Sequence, residues 1–210
     1  MKAYQLVKNE MKNGNGALYL IGGRPAMGKT AFMIRIAVEM AREGNRVGFI
    51  SLELNKDEML RRMERCAGGE IELDELSLDV MDGGRVRPQD IEQYCSQEKD
   101  VIFIDYLQLI DRGDGDLVGV VKAIREIAGR CSIPIFVLSQ LPRSIEMRED
   151  HKPVPEDLGD FGFELSDFEQ IFLIYREHYY NESVDDSTLT VVTKDQEEIL
   201  LWNPKTVSVM

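Results

Sequence analysis

The sequence is sparing with the residues that build disulfide scaffolds and zinc centres. Its three cysteines, Cys66, Cys95 and Cys131, are odd in number and show no metal-ligand spacing. A zinc site is not expected, and the thiols read as reduced structural groups of a cytoplasmic protein. No apolar run is long enough to span a bilayer, and Met1-Lys2-Ala3-Tyr4-Gln5 does not open a signal peptide, so no membrane partner is expected. Positive charge is also scarce: 25 basic residues face 38 acidic ones, for a net charge of −13. The deficit is uneven, because residues 1–65 hold 12 Lys and Arg against 7 Asp and Glu, and the acidic excess falls entirely beyond them. A chain that grips DNA through phosphates usually displays a basic surface. This composition argues for solubility and repulsion from nucleic acid, leaving only a local basic channel.

What is present is an ordinary globular balance, 43% hydrophobic and 30% charged over 210 residues, enough for one α/β domain with a full core. Residues 3–12 read as a short helix and Asn13-Gly14-Asn15-Gly16 as a turn. Strand-like runs recur at 17–22, 46–51, 101–105, 133–139 and 169–175. Helical patterns lie between them at roughly 29–43, 55–67, 88–98 and 117–131. That alternation implies βαβ units and a mostly parallel sheet. The continuous apolar runs at Val101–Ile104 and Ile133–Leu138 fit strands covered on both faces. Residues 188–193 and 199–202 read as antiparallel strands at one edge, flanking Lys194–Glu198. Residues 140–168 show no periodicity and hold Pro142, Pro153 and Pro155, which marks a functional or mobile loop. Within it, Phe161, Phe163 and Phe168 are open to three readings: base stacking, a partner patch, or core anchoring.

The segment Gly23-Arg24-Pro25-Ala26-Met27-Gly28-Lys29-Thr30 follows the strand Leu18–Ile21 and opens into a helix at Ala31. This is the P-loop pattern in its strand–loop–helix context. Glycines let successive N–H groups curl around a phosphate, and a helix N-terminus adds its positive dipole end. Lys29 can reach the β- and γ-phosphates, and the Thr30 hydroxyl can ligate Mg²⁺. The reading is a nucleoside triphosphate, with ATP and Mg²⁺ as cofactors and Gly23 to Ala31 as the binding segment. Asp105 ends an apolar strand, as the metal-organising acid of such a site does. Glu53 lies just past the strand after the P-loop helix and is a candidate base for water, with a solvated loop glutamate as the alternative. Gln140, at the end of the next strand, is a candidate reporter of the γ-phosphate, or a polar strand-end residue.

These segments together resemble the C-terminal motor domain of DnaB-type replicative helicases, within the RecA-like ATPases. The resemblance rests on Gly22–Phe32, Ser51-Leu52-Glu53-Leu54, Ile104-Asp105-Tyr106-Leu107-Gln108-Leu109, Leu138–Leu141 with Arg143-Ser144-Ile145-Glu146, and Phe172–Arg176 with Tyr179-Tyr180-Asn181. It covers residues 17–205 of a single domain, 1–210, with residues 1–16 as an extension. It implies a RecA-like fold, ATP hydrolysis with Mg²⁺, a homo-oligomer or ring of related subunits, and single-stranded DNA as a partner. It assigns Lys29 and Thr30 to phosphate and metal, Asp105 to the metal, Glu53 to the water-activating base and Gln140 to coupling.

There are departures. The family carries a collar domain and linker helix that this sequence does not show, and its segment between Glu53 and Asp105 is short. Where the family has a strand arginine reaching a neighbour's γ-phosphate, this sequence has Gln196, and such a finger is worth about 10³–10⁵ in rate in well-studied systems. Residues 156–170 carry six acids and no Lys or Arg, which is unfavourable for a segment approaching DNA. Arg143, Arg148 and Lys152 are the nearby cations, offset by Glu146, Glu149 and Asp150. The expected function is an ATPase of the DnaB-like family without autonomous unwinding. The alternatives are a regulatory nucleotide-binding module, or a RecA-like switch unrelated to DNA.

Overall fold

A computed structural model describes residues 2–11, 16–67, 75–186, 188–195, 197–203 and 208–209. Five helices are described: α1 (Lys2–Glu10), α2 (Lys29–Arg42), α3 (Lys56–Ala67), α4 (Pro88–Cys95) and α5 (Leu117–Cys131). The strands are β1 (Leu18–Gly23), β2 (Val47–Ser51), β3 (Leu78–Asp82), β4 (Val101–Asp105), β5 (Ile135–Gln140), β6 (Gln170–Tyr175), β7 (Thr188–Val192), β8 (Glu197–Asn203) and β9 (Ser208–Val209). They form one sheet in the order β3-β2-β4-β5-β1-β6-β7-β8-β9. Pairings from β3 through β6 are parallel, and β6–β7, β7–β8 and β8–β9 are antiparallel. The expected parallel sheet with an antiparallel C-terminal edge is present.

The apolar runs have a simple cause. Tyr19, Ile21, Phe49, Phe103, Phe136 and Leu138 face one layer with α1, α2 and α3. Their chain neighbours, among them Leu20, Ile50, Ile102, Ile104 and Val137, face the other layer with α4 and α5. A sheet buried on both faces confines polar residues to the ends of its central strands, as at Ser51, Asp105, Ser139 and Gln170. On the first face Phe49, Phe103, Phe136 and Tyr19 stand in register across β2, β4, β5 and β1. Their neighbouring rings stack at centroid separations of 6.1, 5.1 and 4.6 Å. Each such pair contributes about 0.5–1.5 kcal/mol beyond its burial.

Three features differ from the sequence expectation. β3 is a strand that periodicity does not reveal: it lies at the sheet edge, only Val80 in it is buried, and Asp79 and Asp82 interrupt its apolar pattern. Charges on an edge strand discourage pairing with other chains. The turn between β7 and β8 is shorter than expected, since Glu197 and Glu198 already pair with Val192 and Val191. Residues 140–168 are structured, as short 3₁₀ turns at Arg143–Met147, Pro155–Phe161 and Leu165–Asp167. Ile145, Leu158, Phe163 and Phe168 pin them into the second core layer, with Phe161 packed at its margin. Of the three readings of these phenylalanines, core anchoring is the one observed.

Candidate functional site

The site lies at the carboxyl ends of the central strands, where open α/β sheets receive ligands. β1 is buried throughout and ends in Gly23, where an added Cβ would meet the Ile174 carbonyl oxygen at 2.9 Å. The chain then turns through Ala26 and Gly28, at φ 63° and 91°. Met27 is buried in the core beneath and anchors the turn. Helix α2 starts at Lys29 with no side-chain cap, so its first amides remain available to a ligand.

Lys29 Nζ donates to the Arg24 carbonyl oxygen at 2.9 Å, folded back over its own loop. Burial pushes its ammonium down to about 8, against the pull of Asp105 and Glu53. The Thr30 hydroxyl donates to Asp105 Oδ2 at 3.0 Å, placing two hard oxygen donors side by side. Asp105 is 2% exposed, and burial lifts its carboxyl to about 6. Thr30's hydrogen bond opposes that rise, and the nearby Glu53 charge adds to it. A desolvated ammonium and a desolvated carboxylate each favour the neutral form until an opposite charge arrives. Glu53 is exposed on the bend after β2. That bend is held by Leu52 N–H donating to the Asp105 carbonyl at 2.7 Å and Ser51 Oγ donating to the Leu54 carbonyl at 2.5 Å.

A cavity of about 460 Å³ gathers Lys29, Thr30, Glu53, Asp105 and Gln140, and Pro25, Ala26, Gly28 and Ala31 line it as well. The other three candidates do not line it: Gly23 packs beneath, Met27 is core, and Arg24 turns away. Arg24 Nε donates to Glu146 Oε1 and Nη1 to the Leu141 carbonyl, both at 2.8 Å. Leu54, Arg62, Tyr106 and Arg176 also line the cavity and were not singled out as site residues from the sequence. Arg62 comes from α3 and donates to Glu58 Oε1 at 3.1 Å. Arg176 follows β6, pairs with Asp186 and donates to the Ala26 carbonyl at 3.3 Å. Tyr106 and Arg176 directly follow β4 and β6 and Leu54 lies on the bend after β2, while Arg62 stands inside α3; no local pattern marks either arginine as reaching the site. Gln196 lies outside the described residues.

Three cations of this region, Arg148, Lys152 and Lys194, are engaged within the chain. Arg148 forms a two-pronged pair with Asp157 at 2.6 and 2.7 Å. Lys152 contacts both Glu197 oxygens at 2.9 and 3.1 Å. Lys194 donates to the Phe168 and Glu169 carbonyls at 2.5 and 3.2 Å. Arg143 is exposed. Among the described residues, no helix is long and apolar enough to cross a membrane.

A solved ATPase domain superposes with a TM-score of 0.88 at 21% identity, covering 100% of this chain and 90% of that one. A DnaB-like replicative helicase, solved in a study of its interactions with primase, superposes at 0.86 with 22% identity, covering 94% and 59%. The fold is that of RecA-like ATPase domains. A family profile described as the DnaB-like helicase C terminal domain matches residues 9–93 and 65–201. The chain is 30% identical over 210 residues to the replicative DNA helicase DnaB of Rickettsia bellii, covering 79% of this chain and 42% of that protein. It is 31% identical over 201 residues to a probable plasmid replicative DNA helicase of Chlamydia psittaci, covering 80% and 44%. This chain therefore belongs to the DnaB-like helicase C-terminal domain family, and it spans less than half the length of these relatives.

Proposed function

We propose that the chain binds and hydrolyses ATP with Mg²⁺, in the cytoplasm, as a DnaB-like motor domain serving DNA replication or recombination. It works within a ring or other homo-oligomer and not as an isolated unwinding motor. The observation that carries this reading is the convergence of Lys29, Thr30, Glu53, Asp105 and Gln140 on one cavity at the carboxyl ends of the parallel strands.

The roles follow from the chemistry. The Pro25–Gly28 turn and the open N-terminus of α2 receive the phosphates through backbone N–H groups. Lys29 exchanges the Arg24 carbonyl for a phosphate oxygen, and an anion there restores the charge that burial weakens. The paired oxygens of Thr30 and Asp105 suit Mg²⁺, a hard cation that binds through few protein ligands and neutralises charge developing on the phosphates. Glu53, on the solvent side, accepts the proton of the attacking water, and Gln140 contacts the terminal phosphate. The full polar set favours hydrolysis over a silent binding module. Single-stranded DNA is the proposed polymer partner, held weakly by the isolated chain because Arg148 and Lys152 are already paired. A neighbouring subunit completes the site in an altered form, Gln196 replacing the family's arginine.

The purified chain should bind ATP·Mg²⁺ and hydrolyse it, with Lys29→Ala lowering nucleotide affinity by about a hundredfold. Calorimetric titration checks affinity. ATPase assays with and without single-stranded DNA, beside a mass measurement of the assembly, check the rest. Unchanged affinity in Lys29→Ala sinks the reading.

A further inference from the structure

β5 extends past its neighbour. Its pairing with β4 ends at Ile104↔Val137, yet it runs on to Gln140, still paired on its other side with Gly23 of β1. In a parallel sheet alternate residues turn both backbone polar groups to opposite neighbours. Leu141 N–H donates to the Gly23 carbonyl at 3.1 Å, so the N–H and C=O of Gln140 face the side where β4 has stopped. Poorly solvated backbone groups of this kind need partners.

Gln108 supplies them. It sits on the 3₁₀ turn Leu107–Leu109, just beyond Asp105. Its Oε1 accepts from Gln140 N–H at 3.3 Å, and its Nε2 donates to the Gln140 carbonyl at 3.0 Å. The same Nε2 also donates to Ser139 Oγ at 2.9 Å, and Ser139 is fully buried. A carboxamide carries a donor and an acceptor on one edge, as a peptide group does. Here the side chain stands in for the missing residue of β4. Its counterpart on the other side is Arg24, whose guanidinium holds the next carbonyl, Leu141.

We propose that Gln108 is a positioning residue for Gln140: it fixes the backbone from which the Gln140 side chain enters the cavity, and so links the Asp105 strand end to the residue reporting the terminal phosphate. This rests on the hydrolytic reading above for its kinetic consequence, but not for its structural one. The replacement Gln108→Met keeps the volume and removes both bonds to Gln140 and the one to Ser139. Gln108→Glu keeps the acceptor for Gln140 N–H and loses the donors.

Amide exchange followed residue by residue, without nucleotide, should show Gln140 N–H losing about tenfold or more of its protection in Gln108→Met, with Leu141 N–H unchanged. Gln108→Glu should retain more of that protection. In turnover, Gln108→Met should lower kcat by about ten- to a hundredfold while ATP affinity stays within about twofold. The double variant Gln108→Met/Gln140→Ala should be no slower than Gln140→Ala alone. Unchanged Gln140 protection in Gln108→Met, or kcat losses that multiply in the double variant, overturns the proposal. A wild-type chain that never hydrolyses ATP would instead overturn the reading of function, and the exchange experiment would still decide the role of Gln108.

Discussion

The two polar regions of this molecule treat their charges in opposite ways. At the carboxyl ends of β1 and β4, Lys29 is half-buried and Asp105 buried, both are drawn toward neutrality, and among the described residues their side chains are hydrogen-bonded to a carbonyl and a hydroxyl. In the 140–168 segment and along β8, Arg148 and Lys152 are closed onto Asp157 and Glu197. In the first region Lys29 feels the pull of Asp105 and Glu53 but, among the described residues, is hydrogen-bonded to no carboxylate. The second compensates itself and leaves little for an external polyanion. The proposed nucleotide site and a segment with little electrostatic call on DNA are both consistent with this difference in partners.

Glu53→Gln tests the open region most severely. Removing a base from the exposed bend should cost about 10²–10⁴ in kcat, while ATP affinity measured by titration stays nearly constant. An equal loss in binding would mean that Glu53 serves the ground state.

Asp105→Asn separates stability from catalysis. The Asp105 carboxyl is raised from 3.8 to about 6, so the folded chain holds this proton more tightly than the unfolded one. Its contribution to stability is fully present below about pH 4 and is lost as pH rises through about 6. Above that, ionisation costs the fold about 2–3 kcal/mol, at roughly 1.4 kcal/mol per pKa unit. In nucleotide-free thermal melts at pH 7.5 the variant should gain about 5–10 °C, and the gain should shrink as the pH falls below 6. Hydrolysis should fall in the same protein. A variant less stable than wild type at pH 7.5 would show that the Thr30 contact outweighs desolvation.

Asp157→Asn opens the closed region. It keeps an acceptor for the Val154 N–H, which now bonds Asp157 at 2.8 Å, but releases the Arg148 charge. The partly buried pair is worth about 1 kcal/mol, so the melting temperature should drop by only a few degrees. Fluorescence anisotropy at low salt should show single-stranded DNA affinity rising a few-fold, with a steeper salt dependence. No gain would place Arg148 away from any strand path.

Much of this was legible in the sequence, for identifiable reasons. Lys29, Thr30, Glu53, Asp105 and Gln140 each close or follow an apolar run, and a parallel sheet brings such ends together. β3 was hidden because an edge strand carrying two aspartates loses its apolar signature. Arg62 and Arg176 were hidden because nothing local marks a cation that reaches a site from the next element. Gln108 was visible as a letter in a motif, but its purpose depends on β4 stopping short of β5, a relation that exists only in three dimensions.

The ring row across β2, β4, β5 and β1 has a metrological consequence. Gly23, Gln140 and Glu53 each lie four residues beyond their ring in Tyr19, Phe136 and Phe49, and Asp105 lies two beyond Phe103. The row is a datum line from which these four strand-borne positions are levelled. The smallest slip that keeps a ring on the same face is two residues, about 6.6 Å, and it would unstack that ring from its neighbours. Alignment of the strand ends at the cavity is thereby quantised in steps of two residues.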